Sequence, residues 1–159
     1  MANTSLSEAL IREHRDIDSG IEVFIADLER GVVDAEPLLV TLAALRRHIY
    51  LEEQFVFPPL RQTGLMMPVM VMLREHGELW QLMDTLTELL RGSDPTVLND
   101  KFVSTCRTLL AQLDQHNSKE EPIIYPHADN DLSQETMAEL AEFLDSGSTP
   151  DGWVCKAAQ

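Results

Sequence analysis

This chain is short of cysteine and of positive charge, and it has no long apolar run. Its two cysteines, Cys106 and Cys155, form no Cys-x-x-Cys pair. Two thiols are too few for a disulfide framework, so they read as free thiols in a reducing cytoplasm. There are 12 Lys and Arg against 27 Asp and Glu, a formal net charge of −15. Nucleic acid and anionic membranes are polyanions, so neither is expected as a partner. The charge leaves room for a protein partner or a homodimer. No apolar stretch approaches the roughly 20 residues that a membrane span needs. Met1-Ala2-Asn3-Thr4-Ser5 carries neither the basic stretch nor the apolar core of a signal peptide. With 44% hydrophobic and 25% charged residues over 159 positions, the composition is that of one globular domain.

What is present is helical periodicity. Leu10, His14, Ile17, Ile21, Phe24 and Leu28 form one stripe. Ser5 with Glu8 is a capping box, and Gly31 is a stop. Pro37 opens a second helix with the stripe Leu38, Thr41, Leu45, His48, Glu52, Phe55, Pro59, ending at Gly64. Pro58 and Pro59, lacking N–H donors, bend or finish its last turn. Pro68 opens a third, with Val69, Leu73, His76, Trp80, Met83, Thr87 and Leu90, closed by Gly92. Ser93-Asp94-Pro95 reads as a turn and cap. The fourth carries Phe102, Cys106, Leu109, Leu113, His116, Glu120 and Ile123, and Pro122 and Pro126 disturb its end. A short fifth helix spans roughly Ser133 to Leu144. The pattern predicts an all-α, up-down-up-down four-helix bundle over residues 1–145 with a short fifth helix. Residues 146–159 read as a loop or mobile C-terminal tail that Trp153 docks.

Two phrases repeat. Arg12-Glu13-His14 returns as Arg74-Glu75-His76, and His48-x3-Glu52-Glu53 returns as His116-x3-Glu120-Glu121. The copies lie 62 and 68 residues apart, as in a duplicated helical hairpin. His and Glu one turn apart share a helix face, and here that face is the core stripe. Glu is almost never buried without a partner. No Arg or Lys lies on the four stripes to neutralise Glu52 and Glu120, so a bound cation is the expected solution. Imidazole and carboxylate suit iron, manganese or zinc, and the absence of Cys argues against a thiolate zinc site. Six ligands exceed one tetrahedral zinc and match two ions bridged by carboxylates.

With His14, His48-x3-Glu52, His76 and His116-x3-Glu120 spread over four helices, the chain resembles the haemerythrin-like family across roughly residues 6 to 130. The resemblance implies two iron ions with an oxo or hydroxo bridge, although zinc or manganese could be carried on isolation. Glu52 and Glu120 would bridge, with His14 and His48 on one iron and His76 and His116 mainly on the other. The oxygen carriers of this family have a second His one turn after the first on helix three, where this chain has Trp80. Each iron then reaches about five ligands, which leaves both with an open position. Trp80 would wall that space or be an oxidisable neighbour. This departure favours reaction with, or sensing of, dioxygen, hydrogen peroxide or nitric oxide, in the manner of a catalase or peroxidase. Dioxygen or iron storage without turnover is the alternative.

Further candidates surround this set. Glu53 and Glu121 point off the stripe, either exposed or bonded to ligand imidazoles. Asp18, one turn from His14, is a candidate to orient it. Tyr125 is a candidate phenolate ligand despite its place beside Pro126, and Tyr50 lies on the wrong side. His127, seven residues beyond Glu120, is a candidate fifth histidine of the site. Arg12, Glu13, Arg74 and Glu75 are set aside as ligands.

Overall fold

A computed structural model describes residues 4–92 and 100–159 of the chain. The turn expected at Ser93-Asp94-Pro95 lies outside the described residues. Helix α1 (Leu6–Glu29) starts at the capping box: Glu8 N–H donates to the Ser5 hydroxyl and Ser5 N–H donates to the Glu8 carboxylate. Gly31 follows α1 at φ 81°. Helix α2 (Glu36–Leu51) has Pro37 in its first turn. After a π-helical segment (Glu52–Val56) come α3 (Phe57–Gln62), α4 (Met66–Gly92), α5 (Asp100–Ile123), α6 (Tyr125–Asp131) and α7 (Gln134–Ser146). A 3₁₀ turn, Lys156–Ala158, lies near the C-terminus. No strand is present among the described residues.

Cross-helix contacts give the topology. Glu13 of α1 meets Arg47 and His48 of α2, while Gly20 meets Thr41, so the two helices are antiparallel. A Cβ on Gly20 would sit 2.3 Å from the Thr41 hydroxyl, so this crossing is close. Phe24 meets Phe102 and His14 meets Glu121, which sets α5 antiparallel to α1. Arg46 meets Asp84 while Glu53 meets His76, which sets α4 antiparallel to α2. The result is the up-down-up-down bundle.

The apolar stripes fill two clusters. One holds Ile21, Phe24, Leu38, Leu42, Met83 and Phe102, and the other Leu10, Leu51, Phe57, Leu60, Tyr125 and Leu140. The His and Glu layer lies between them. Beyond that layer the stripes slip by one residue. Val56 and Leu60 are buried in place of Phe55 and Pro59, and Ile124 in place of Ile123, which is 46% exposed. In the first copy the cause is the π turn, whose wider ring takes one extra residue and closes with Phe57 N–H donating to the Glu52 carbonyl. Pro58 then sits in the first turn of α3, where its missing N–H costs nothing. In the second copy α5 ends at Ile123 and α6 restarts at Tyr125, ahead of Pro126.

The C-terminal segment packs on the bundle. Arg47 donates to the carbonyls of Phe143, Leu144 and Gly147, completing the end of α7. Trp153 packs edge-on against Trp80 and Tyr50. Cys155 is fully buried, and Ala157 lies on Gly77 of α4, where a Cβ would come within 2.7 Å. No described helix is long and apolar enough to cross a membrane.

Candidate metal centre

Each of the four bundle helices brings one imidazole to the middle layer, and the start of the π-helical segment and the end of α5 bring the carboxylates. His14, His48, His76 and His116 are at most 5% exposed, and Glu52 and Glu120 are fully buried. Their ligand atoms form two groups, His14-His48-Glu52-Glu120 and Glu52-His76-His116-Glu120, each with all atoms within 4.8 Å of one another. The groups share both carboxylates. Glu120 spans them: Oε1 is 3.2 Å from His14 Nε2, and Oε2 is 3.3 Å from His116 Nε2. Glu52 Oε1 lies between His48 Nε2 at 3.4 Å and His76 Nε2 at 3.3 Å.

The other nitrogen of every imidazole has a carboxylate of its own. Nδ1 of His14 meets Glu121 at 3.2 Å, that of His48 meets Glu13 at 2.9 Å, that of His76 meets Glu53 at 2.7 Å and that of His116 meets Glu75 at 3.1 Å. Nδ1–H therefore donates outward, which leaves Nε2 of each ring facing the centre, where a metal would take the place of a proton. His14 Nε2 and His48 Nε2 are 3.0 Å apart, a poor place for two N–H groups. Glu52 Oε1, His76 Nε2 and Glu120 Oε2 are buried with no hydrogen-bond partner. Leaving such atoms unpaired costs about 1–3 kcal/mol each, and more when charged. Converging lone pairs and unpaired carboxylate oxygens are what a cation satisfies, so the residues fit a metal.

The electrostatics of the chain alone follow the same pairing. Burial raises the Glu120 carboxyl, but His116 and His14 outweigh it and hold the group well below the usual range. Glu52 is lowered too: burial and Glu120 push it up, while His48 and His76 bring it down. Burial works against charge on His48, His76 and His116, yet the facing carboxylates raise all three, His116 to about 10. The hydrogen bond from His116 holds Glu75 down at about 2.

Tyr125 enters this layer. Its hydroxyl is 2.9 Å from Glu52 Oε2, Glu120 Oε1 and His14 Nε2, and 3.2 Å from His48 Nε2. It thus sits within the His14–His48 group alone. Burial, then Glu120 and Glu52, push the phenol well above its ordinary value, so it keeps its proton beside the bare carboxylates. A cation there would reverse that balance. In the repeat Tyr125 matches Phe57. Both rings stack on an imidazole, Tyr125 on His14 at 5.5 Å and Phe57 on His76 at 5.4 Å.

Other expectations are corrected. His127 does not join the centre: beyond the break between α5 and α6 at Ile124 it is exposed and bonds Asp131 at 2.7 Å. Asp18 is not the orienter of His14, a role that falls to Glu121; Asp18 is half-buried, and its pKa is raised chiefly by burial. Trp80 does not wall the centre. Leu79 does, while Trp80 turns to Arg46, 4.4 Å above its ring, and to Trp153. Tyr50 lies among Phe55, Phe143 and Trp153. Burial lifts the thiols of Cys106 and Cys155 to about 12 and about 11, so both stay protonated. Glu13 and Glu75, set aside on sequence, face ligand imidazoles just as Glu53 and Glu121 do. Their signal was the repetition itself, since the whole of both phrases recurs.

Glu53 has a further anchor. The backbone N–H of Lys156 donates to its Oε1 at 3.0 Å, tying the C-terminal segment to His76 through one carboxylate. The centre opens on a small cavity of about 10 Å³ that the four imidazoles and Glu52 line themselves, walled beyond them by Ile17, Leu45, Ile49, Leu79, Leu113 and Asn117. That is room for one molecule of about water's size.

No curated protein and no solved structure matches the chain. A family match covers residues 5–128, from α1 into the start of α6, under the description Hemerythrin HHE cation binding domain. It takes in all six clustered His and Glu, their four outer carboxylates and Tyr125, and it leaves the C-terminal segment outside. The chain belongs to the haemerythrin HHE cation-binding family.

Proposed function

We propose that this protein holds two iron ions between Glu52 and Glu120 and reacts with, or senses, small oxidants, with hydrogen peroxide the leading substrate. The observation that carries this reading is the pair of four-residue groups sharing both carboxylates, with buried unpaired atoms aimed between them. His14, His48 and the Tyr125 oxygen would hold one ion, and His76 and His116 the other. Bound iron supplies electron exchange and a Lewis acid. The chain supplies orientation through the four Nδ1–H donors and an apolar wall that keeps bulk water out.

Tyr125 changes the expectation of two open positions. On this reading the His14–His48 ion would gain a further ligand, which would leave an open place only at the His76–His116 ion. One open and one filled ion is also the pattern of a carrier. The donor set argues otherwise. A phenolate, two shared carboxylates and four outer carboxylates are hard and anionic, and they favour the ferric state. A dioxygen carrier needs a ferrous resting state, whereas a ferric pair could take two electrons from one peroxide molecule and return them to a second. Two peroxide molecules then give two waters and one dioxygen, one molecule being oxidised and the other reduced.

The test is iron loading with elemental analysis, a visible spectrum and peroxide addition. Two irons per chain, a phenolate-to-iron band abolished by Tyr125→Phe, and release of oxygen gas are expected. A spectrum that cycles reversibly on oxygenation and degassing, with no peroxide consumed, would establish the carrier instead.

A further inference from the structure

Beyond the four imidazoles and Glu52, the cavity is lined by five aliphatic side chains and Asn117, and the oxidant chemistry proposed above does not use Asn117. Asn117 is 7% exposed, and its Oδ1 is buried with no hydrogen-bond partner. The internal repeat shows that the fold does not require polarity there. Asn117 follows His116 as Ile49 follows His48, and Ile49 lines the same cavity from α2. An unpaired buried amide oxygen carries a desolvation cost that an aliphatic residue would avoid.

We infer that Asn117 is the specificity-determining residue of the cavity and accepts a hydrogen bond from a ligand that carries O–H, which selects hydrogen peroxide over dioxygen and nitric oxide. This rests on the reading of the centre as a metal site. The discrimination is chemical. Hydrogen peroxide has two O–H groups, one free for Asn117, while dioxygen and nitric oxide have no hydrogen to donate. A site built to bond a substrate hydroxyl penalises analogues that lack it, because the site's own polar atom stays unpaired. With Glu52 and the imidazoles engaged by the metal, the five aliphatic neighbours offer no competing acceptor, and the cavity admits only very small molecules.

The experiment compares wild type with Asn117→Leu, close in size, and Asn117→Ile, the residue of the other copy. Four quantities are read on the iron-loaded protein: iron per chain, KM and kcat for peroxide, and affinity for azide by spectral titration. Azide at neutral pH has no hydrogen to donate. Both variants are expected to keep the wild-type iron content and to bind azide within about twofold of wild type. Their KM for peroxide should rise about tenfold, the effect of one hydrogen bond of about 1.4 kcal/mol. An unchanged KM, or an equal loss for azide and peroxide, overturns the assignment. Wild type that binds azide but consumes no peroxide also overturns it while leaving the metal site standing. Wild type that binds no iron removes both.

Discussion

Tyr125 and Phe57 occupy the same place in two copies of one phrase, and they finish the two halves of the centre differently. On the His14–His48 side a hydroxyl reaches all four neighbouring ligand atoms. The outer carboxylate of His14, Glu121, has a side chain 32% exposed. On the His76–His116 side Phe57 offers only a ring face. There Glu53 is 4% exposed at its side chain and is held by the Lys156 N–H. Of the unpaired atoms, His76 Nε2 and Glu120 Oε2 face that second half, and Glu52 Oε1 lies between the two halves. The two copies of the phrase thus differ: one adds a hydroxyl among its ligand atoms, and the other adds a buried carboxylate anchored by the C-terminal segment.

The largest effect should come from breaking both halves at once. Glu120 contributes one oxygen to each group, so Glu120→Ala is expected to abolish binding of both ions. The loss should exceed the 10- to 100-fold typical of an outer partner. Elemental analysis after desalting checks it, and retention of one iron per chain would show that the halves are independent.

Next comes the anchored half alone. A side chain on Gly77 meets Ala157 at 2.7 Å, so Gly77→Val should lift the C-terminal segment and release Glu53 from Lys156. Weaker binding of one ion, about 10-fold, should accompany a changed Trp emission as Trp153 leaves Trp80. If emission shifts but both ions bind as before, Glu53 orients His76 without help from the tail.

A third test uses pH. His116 in the chain alone is held up at about 10, so it stays protonated at neutral pH, and iron must displace that proton. A raised folded pKa stabilises fully below the ordinary value near 6.5 and loses that contribution as pH rises towards 10. A metal on Nε2 removes the dependence. The gap in Tm between metal-free and loaded protein should therefore widen from pH 6 to pH 8. A constant gap would mean that His116 is neutral before metal binds.

The sequence made the bundle legible because periodicity, caps and Gly stops are local. It also revealed the six inward His and Glu, because polar residues on apolar stripes are conspicuous. The outer carboxylates were less visible. Glu13 and Glu75 lie off their own stripes and reach a histidine on another helix, a relation that helix periodicity cannot express. Tyr125 was obscured by the break at Ile124, which shifts the register by one and turns the ring inward. The same break carries His127 away to Asp131. Trp80 misled in the opposite sense: it lies on the stripe, but α4 gives Leu79 to the cavity and keeps Trp80 for the C-terminal segment.

The smallest expected effect separates the two halves most finely. Glu53→Gln and Glu121→Gln make the same change at matching positions of the repeat. Each keeps a hydrogen-bond acceptor for Nδ1–H but removes the charge that raises the ligand's basicity. Glu53 is buried and bonded to both His76 and Lys156, so its charge acts in a medium that screens it little. Glu121 is partly in water, where solvent takes over much of its role. Glu53→Gln should weaken one ion about 10-fold, and Glu121→Gln only a few-fold. Stepwise metal titration of the two variants reads the difference. Equal losses would mean that burial does not set the strength of these outer contacts, and the contrast between an anchored and a solvated half would then rest on Tyr125 alone.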